Sequence, residues 1–272
     1  PTFAMADLFS KRLLGQLNYF LNRQSHFEGE QLLALKPLFE QEGIEYAFVS
    51  GDLSSTSLKA EFKTAQKLFQ EMEKSGIKCF FVPGNHDHYT KEAQNRQLFY
   101  QYFTNHSSKQ LFSLQKDGVE AHLLQEGFWY VGLDCALATG LLSSHGLFSH
   151  TIEKNLQTVL QQISPKDKII LVNHFPFLKI TSQRKELRRK EALEEILKNH
   201  PNIVLYLHGH THSNAIEDRR DEGLPLSLDS GSAAFNTIGR LNLIDLEKKH
   251  CRIRVFEFKD KWQEELHQNY IF

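Results

Sequence analysis

The stretch IVLYLHGHTH, residues 203–212, joins an apolar run to three histidines at every second position. An apolar run of this length is typical of a buried strand, and alternate side chains of a strand point to the same face. His208, His210 and His212 could therefore converge on a metal ion, or they could form no more than the polar end of a strand. The residues that follow the other apolar runs bear on this choice.

Four apolar runs of the chain are each followed within three residues by a side chain that can bind metal. The runs and the residues after them are YAFVS and GD (46–52), CFFVP and GNHD (79–87), IILV and NH (169–174), and IVLYL and HGH (203–210). Open α/β folds build their sites beyond the carboxyl ends of their strands. A carboxylate, an amide oxygen and several imidazoles at one sheet edge suit a divalent ion such as Mn, Fe or Zn.

Helical patterns alternate with short apolar runs up to residue 208, and strand patterns follow one another after it. Helices are predicted at 8–23, 27–42, 57–75, 90–103, 150–163 and 184–199, and strands at 46–50, 78–83, 129–133, 168–172 and 203–207. Beyond residue 208, the segments IEDRR, LPLSLDS, RLNLIDLEKK and CRIRVFEFK are typical of consecutive strands. The chain is therefore predicted to be an α/β protein with a β-rich last part.

The composition is that of an ordinary folded protein and argues against several functions. With 272 residues and a net charge of -1, the chain shows no electrostatic sign of nucleic-acid binding. Its three scattered cysteines are interpreted as free thiols in a reducing compartment. No apolar run approaches the roughly 18 residues that a membrane span needs, and no signal peptide is recognisable.

The series GD, GNHD, NH and HGH, in this order and spacing, resembles the calcineurin-like metallophosphoesterases. The resemblance extends over nearly the whole chain, through SHGLF (144–148) and DSGSAAFN (229–236). It implies an α/β fold, a four-layer αββα sandwich of two mixed sheets flanked by helices, formed by residues 1–272 as one domain. It also implies a hydrolase with two divalent metal ions, of which Mn²⁺ is the first expectation and Fe or Zn the alternatives.

Individual roles also follow from this resemblance. The implied metal ligands are Asp52, Asn85, His174, His208 and His210. Asp52 would bridge the two ions; Asn85, His174 and His208 would complete one site, and His210 would serve the other. His86 would point at the phosphate as a proton donor oriented by Asp87, and His212 matches no ligand position.

The chain departs from the family pattern before Asp52. Family members carry D-x-H on a first strand, and no such motif precedes Gly51-Asp52 here. We expect that strand and its two ligands to lie just upstream of Pro1. On this interpretation the chain as given supplies all the protein ligands of one metal site and lacks part of the other.

Two basic segments bear on the substrate. Residues 8–23 combine leucines and Phe20 with Lys11, Arg12 and Arg23, and RKELRRK (184–190) carries five basic groups and one acid. Basic groups in such positions can bind a diphosphate or an anionic membrane surface, although a core-packing helix and a solvated helix are also open. The predicted substrate-binding residues are Arg12, Arg184, Arg188 and Arg189.

Within the family, the chain is most similar to the chlamydial-type UDP-2,3-diacylglucosamine diphosphatases. This similarity implies hydrolysis of a pyrophosphate bond to diacylglucosamine 1-phosphate and UMP in lipid A biosynthesis. It also implies a cytoplasmic enzyme, peripheral on the inner face of the membrane, that takes a lipid-linked nucleotide, binds no nucleic acid and needs no obligate protein partner. The alternatives are a cyclic-nucleotide or general phosphodiesterase of the same fold, and a non-catalytic protein-binding scaffold.

Overall fold

The computed structural model describes residues 29–140, 142–179, 182–234 and 239–272. Seven α-helices lie within these ranges: α1 Gly29–Leu33, α2 Leu35–Gln41, α3 Lys59–Lys74, α4 Lys91–Asn95, α5 Leu114–Asp117, α6 His150–Gln162 and α7 Lys190–Asn199. The strands are β1 Tyr46–Val49, β2 Lys78–Phe81, β3 Gln110–Leu111, β4 Val119–Gln125, β5 Phe128–Leu133, β6 Gly146–Leu147, β7 Lys168–Val172, β8 Leu187–Arg188, β9 Ile203–His208, β10 Ala215–Glu217, β11 Leu226–Asp229, β12 Gly239–Leu246, β13 His250–Phe258 and β14 Trp262–Ile271. The predicted helix 8–23, with Arg12, lies outside the described residues.

A seven-stranded sheet in the order β10-β11-β9-β7-β5-β4-β3 forms the centre of the fold. Four of its strands, β11, β9, β7 and β5, run parallel to one another, and β10, β4 and β3 pair antiparallel with their neighbours. Separate smaller sheets are formed by the parallel pair β1-β2, by the antiparallel set β12-β13-β14 and by the parallel pair β6-β8. The central sheet is therefore mixed, as predicted.

Side-chain alternation along β7 shows that both faces of the central sheet are covered. Ile169 and Leu171 belong to a core cluster that includes the apolar sides of α6 and α7. Ile170 and Val172 belong to a second cluster, which includes Phe80 of β2 and residues of β13. One face of the sheet therefore packs against helices and the other against further strands.

The same alternation along β2 defines the remaining layer. Phe80 points into the cluster shared with the central sheet, whereas Cys79 and Phe81 belong to a third cluster with Phe62 of α3. The layers run helix, sheet, sheet, helix, and the predicted α/β fold of a mixed sheet flanked by helices is confirmed. No helix of the described ranges has the length and apolarity to cross a bilayer.

Three predicted helices begin or end differently in the structure. The helix predicted over 27–42 is divided around Ala34, because Pro37 cannot donate a hydrogen bond to the carbonyl of Leu33. The helix predicted over 90–103 stops at Asn95, before Gln97 with a φ of 48°. The helix predicted over 184–199 begins only at Lys190, since residues 187–188 form β8.

Candidate metal centre

Two glycines allow the chain segments after β1 and β2 to lie against each other. A Cβ on Gly84 would lie 2.1 Å from Oδ1 of Asp52, and a Cβ on Gly51 would lie 2.6 Å from the backbone nitrogen of Gly84. Gly51 also has a φ of 102°, a conformation that side-chain-bearing residues rarely adopt. The Gly-Asp and Gly-Asn-His-Asp motifs therefore need glycine at these positions to bring their polar side chains to one point.

Asp87 joins these two segments from within the protein. Its buried carboxylate accepts hydrogen bonds from the backbone amides of Asp52 (2.8 Å), Leu53 (3.2 Å), Ser54 (2.9 Å) and Gly84 (2.9 Å), and from the Ser54 hydroxyl (3.0 Å). Burial, and next the negative charge of Asp52, raise the pKa of Asp87, while the amide hydrogen bonds oppose that rise. Asp87 thus fixes the backbone that carries the candidate metal ligands.

The His86 ring, predicted to be oriented by Asp87, has contacts of its own with the neighbouring loop. Nδ1 of His86 lies 2.7 Å from the carbonyl oxygen of Ser55, its backbone amide donates to Oδ1 of Asp52 at 2.9 Å, and its ring stacks on Tyr89 at 5.6 Å. The Asp87 carboxylate is engaged instead by the five donors of the neighbouring loop. The backbone of Ser55 therefore holds the His86 ring by Nδ1, and its orientation by Asp87 stays a prediction.

Two histidines present unprotonated nitrogens to the amide oxygen of Asn85. His174 uses Nδ1 on the carbonyl of Ser50 at 2.7 Å, and His210 uses Nε2 on the carbonyl of Lys185 at 3.0 Å. A neutral imidazole has one N–H, so the other nitrogen of each ring carries a lone pair. These nitrogens, Nε2 of His174 and Nδ1 of His210, lie 3.1 Å and 2.8 Å from Oδ1 of Asn85 and 3.2 Å from each other.

Three converging lone pairs with no proton between them repel one another, and a cation would remove that repulsion. Spacings of about 3 Å are those of neighbouring ligands around one ion whose bonds are about 2.1 Å long. Oδ2 of Asp52, 3.5 Å from Nε2 of His174, adds a carboxylate to the set. In the part of the chain that the structure describes, no three His, Cys, Asp or Glu side chains gather tightly enough to hold a metal alone. The oxygen of Asn85 is therefore essential to the set, and the residues present fit one divalent ion.

Asp52 and His210 have the charge states that metal binding requires. Burial alone would raise the pKa of Asp52, but the neighbouring rings of His174 and next of His86 outweigh burial and lower that pKa. Burial, followed by the nearby His174 ring, lowers the pKa of His210 to about 3. At neutral pH the carboxylate is ionised and the His210 imidazole is neutral, which are the forms that bind cations.

His208 lies in different surroundings from those predicted for it. Its Nε2 is 3.1 Å from the hydroxyl of Ser227, and its Nδ1 is 3.3 Å from the carbonyl of Gly209 and 3.9 Å from Asp229. The residue is still part of β9 and pairs in register with Asp229 of β11. The predicted grouping of His208 with Asn85 and His174 differs from the observed one, because the strand holds the His208 ring beside β11.

Asp229 is a buried carboxylate that the sequence analysis did not single out. It accepts hydrogen bonds from the hydroxyl of Thr211, from the hydroxyl of Ser213 at 3.3 Å and from the amide of Gly231 at 2.8 Å. The turn that it holds carries His210 with a φ of 69°. In the sequence, Asp229 comes directly after the apolar run LPLSL, much as Asp52 follows YAFVS. From this position Asp229 could have been predicted as a candidate site residue.

The predicted basic residues of the 184–190 segment differ in their contacts. Arg189 donates to the carbonyl of Phe148 at 2.8 Å and forms an ion pair with Glu153 at 2.5 Å, so it anchors α6. Arg184 and Arg188 are exposed, and their carbonyls accept hydrogen bonds from the SHGLF segment. Of the three described arginines, Arg184 and Arg188 retain side chains suited to an anionic ligand.

Solved structures and a sequence relative resemble the chain at low identity. A dimetal phosphatase from Danio rerio aligns over 90% of this chain and 89% of its own, with 13% identity and a TM-score of 0.64. The purple acid phosphatase PPD1 from yellow lupin aligns over 90% of this chain and 49% of its own, with 10% identity and a TM-score of 0.60. At these identities the likeness shows the fold alone.

A sequence relative and a match to a protein family bear on the function of the chain. The uncharacterized protein YvnB of Bacillus subtilis is 22% identical in an alignment of 222 residues that covers 76% of this chain but only 16% of that protein. Residues 7–214 match the calcineurin-like phosphoesterase family, and this range includes all five predicted metal ligands. The chain belongs to the calcineurin-like phosphoesterase family.

Proposed function

We propose that the chain is a metal-dependent phosphoesterase whose residues Asp52, Asn85, His174 and His210 hold one of two divalent ions, with Mn²⁺ the first candidate. The observation that supports the proposal most directly is the convergence of Nε2 of His174 and Nδ1 of His210 on the oxygen of Asn85, at 3.1 and 2.8 Å. Each ring uses its N–H on a backbone carbonyl, so both nitrogens are prepared to bind a cation.

The ligand pair after β9 is proposed to be His210 and His212 in place of His208 and His210. His208 contacts Ser227 across the sheet, whereas His210 lies against Asn85. His212 follows two residues later and is close enough to disfavour a positive charge on His210. On this assignment His212, which matched no ligand position in the sequence, serves the second ion together with Asp52.

The chemistry of the protein's own residues follows from their contacts. When bound, a pair of divalent ions supplies charge neutralisation at the phosphate and lowers the pKa of a water towards 7. Asp52 would be a ligand common to both ions, and its negative charge would lower the repulsion between them. His86 has Nδ1 committed to the carbonyl of Ser55, so Nε2 is the nitrogen left for the substrate. With a proton on both nitrogens, the ring would donate the Nε2 proton to the leaving oxygen and return to the neutral form.

The substrate is proposed to be a nucleotide diphosphate linked to a lipid, as in UDP-2,3-diacylglucosamine. Exposed Arg184 and Arg188 support an anionic substrate, and Arg188 places positive charge near His145 of the SHGLF segment. A phosphodiesterase acting on a soluble diester or a cyclic nucleotide is the alternative. Equal kcat/KM on UDP-2,3-diacylglucosamine and on bis(p-nitrophenyl) phosphate would contradict the lipid-linked substrate and leave the phosphoesterase proposal intact.

The test of the enzyme itself is turnover of bis(p-nitrophenyl) phosphate with Mn²⁺ and with chelator. We expect Mn²⁺-dependent turnover, and we expect His86→Ala to lower kcat by about 10²- to 10⁴-fold while metal content stays unchanged. His150→Ala, at an exposed position on α6, is the matched control and should retain full activity. No turnover on diesters, pyrophosphates or monoesters with any divalent ion would favour the protein-binding scaffold, and joint loss of metal and rate would make His86 a ligand.

A further inference from the structure

A cavity of about 150 Å³ lies between the end of β2 and the start of β4, apart from the residues of the metal centre. Four aromatic side chains, Phe81, Phe99, Tyr100 and Phe103, line it together with the carboxylate of Glu120. Exposed glutamines, Gln110 and Gln115, are also among its lining residues, so solvent can reach it. A site of this size fits a ligand as large as benzene, since engineered cavities of about 150 Å³ bind it.

Glu120 is the one acidic residue among those that line this cavity. It is 3% exposed, and the lining residues include His106 but no lysine or arginine. Its Oε1 accepts a hydrogen bond from the side-chain amide of Asn105, which is its one hydrogen-bond donor among the described residues. A carboxylate can accept about four hydrogen bonds, so most of its acceptor capacity is unused.

The nearest histidine does not supply the missing donor in its neutral form. Ser107 donates its hydroxyl proton to the carbonyl of Lys109 at 2.7 Å, so Nδ1 of His122, 2.9 Å away, is the donor to Ser107. Nε2 of a neutral His122 then carries a lone pair, and it lies 3.3 Å from Oε2 of Glu120. Within the described chain that nitrogen has no hydrogen-bond partner. A protonated His122 would pair with the buried Glu120 carboxylate at this distance. Beside a neutral His122, the carboxylate has Asn105 as its one hydrogen-bond donor among the described residues, so a bound cation could take the place of that proton.

A buried carboxylate beside several aromatic rings is the arrangement that binds organic ammonium ions. Aromatic faces attract such a cation electrostatically, and the carboxylate adds direct charge pairing. We propose that this cavity is a second ligand site of the protein and that it binds a small alkylammonium ion of the size of choline. The site is independent of the proposed phosphoesterase activity.

The experiment compares choline with 3,3-dimethyl-1-butanol, a neutral molecule of the same shape, on the full chain with Mn²⁺ at pH 8. Binding is measured by calorimetry and by saturation-transfer NMR at constant ionic strength in sodium chloride. We expect saturable binding of choline and at least about tenfold weaker binding of the neutral analogue, because charge supplies most of the attraction. Absence of saturable choline binding would mean that the cavity holds only water and would overturn the proposal.

Variants separate the two parts of the site. Glu120→Gln keeps an acceptor for Asn105 and should weaken choline binding about tenfold, whereas Glu126→Gln, at an exposed position in the same hairpin, should leave it unchanged. Phe103→Leu keeps the carboxylate and should weaken binding roughly fivefold through loss of an aromatic face. This second variant serves as the test if Glu120→Gln does not fold. Unchanged affinity in Glu120→Gln, or equal loss in both glutamate variants, would contradict the assignment.

Discussion

His208 and His210 stand two residues apart, yet their rings lie in different surroundings. His208 is buried with Nε2 3.1 Å from Ser227, whereas Nδ1 of His210 lies 2.8 Å from the oxygen of Asn85. We expect His210→Ala to lower metal affinity at least about 100-fold, because a direct ligand matters no less than the groups that orient ligands. His208→Ala should retain the metal and lose about 1–3 kcal/mol of stability, since the hydroxyl of buried Ser227 loses its partner.

Metal content after dialysis, metal titration by calorimetry and urea unfolding distinguish these two variants. Metal binding and unfolding are independent readouts, because metal loss and destabilisation are expected in different variants. If His208→Ala loses the metal and His210→Ala keeps it, the grouping predicted from the sequence is right and the one proposed from the structure is wrong. Equal metal loss in both variants would also contradict the separation of their roles.

The sequence predicts at the residue scale which strand ends carry ligand-type side chains, but not which histidine turns towards which partner. Asp52, Asn85 and His174 lie within four residues of the ends of β1, β2 and β7, so their placement depends mainly on the strand assignment. The orientation of His208 and His210 depends on where β9 ends and on a residue with a φ of 69°. Tertiary contacts such as those of Asp229 fix that conformation. The hydrophobic periodicity of the sequence does not reveal these contacts.

At the scale of elements, the strands that build the site were predictable and several helix boundaries were not. The predicted strands 46–50, 78–83, 129–133, 168–172 and 203–207 are confirmed as β1, β2, β5, β7 and β9. Each is an apolar run bounded by turn residues, so the local sequence suffices. The start of α7 was wrong because Leu187 and Arg188 pair with Gly146 and Leu147, residues about forty positions earlier. A contact at that distance overrides helix propensity.

Asp134, directly after β5, links that strand to two other elements. Its carboxylate accepts the hydroxyl of Tyr100 at 2.5 Å and lies 3.5 Å from Nε2 of His88. Burial alone lowers the pKa of His88, but the charge of Asp134 and its hydrogen bond outweigh burial and raise that pKa above its usual value. The resulting stabilisation is complete below the unfolded pKa of about 6.5 and is lost as pH rises through the folded pKa.

Asp134→Asn should therefore destabilise the metal-free protein more at pH 6 than at pH 9. Loss of the Tyr100 hydrogen bond lowers the free energy of unfolding equally at both pH values. The difference between the destabilisation at pH 6 and that at pH 9 therefore reports the interaction with His88. Urea unfolding of both proteins at each pH measures it, and the same comparison in a His88→Gln background should show no pH-dependent excess. An excess that persists without His88 would assign the effect to another group.

At the scale of the whole molecule, the layered architecture follows from burial on both faces of the parallel strands. The middle strands of the central sheet are continuously apolar, which predicts cover on both sides. The last strand, β14, was not predicted, because most of its side chains are exposed and WQEELHQNYI has no regular alternation. Its strand conformation comes from the pairing of nine of its ten residues with β13, a property of the assembled sheet.

Two fully buried tyrosines on opposite faces of the central sheet test how polar groups are accommodated in these layers. Tyr206 belongs to the cluster beneath the helices, where its hydroxyl donates to the carbonyl of Phe175 at 2.6 Å and accepts from Asn173 at 3.0 Å. Tyr130 belongs to the cluster between the sheets, and its hydroxyl has no hydrogen-bond partner in the described part of the chain. The same substitution therefore removes two hydrogen bonds on one face and none on the other.

We expect Tyr206→Phe to lower the free energy of unfolding by about 1–3 kcal/mol, because the side-chain amide of buried Asn173 loses a partner. Tyr130→Phe should change it by less than about 0.5 kcal/mol or raise it, since an unpaired buried hydroxyl is removed without opening a cavity. Urea unfolding of both variants with the wild type at one pH gives the comparison. A loss in Tyr130→Phe equal to that in Tyr206→Phe would mean that the Tyr130 hydroxyl is hydrogen-bonded, for instance to a water between the two sheets. The layer between the sheets would then be polar at its centre, and its cohesion could not be attributed to apolar packing alone.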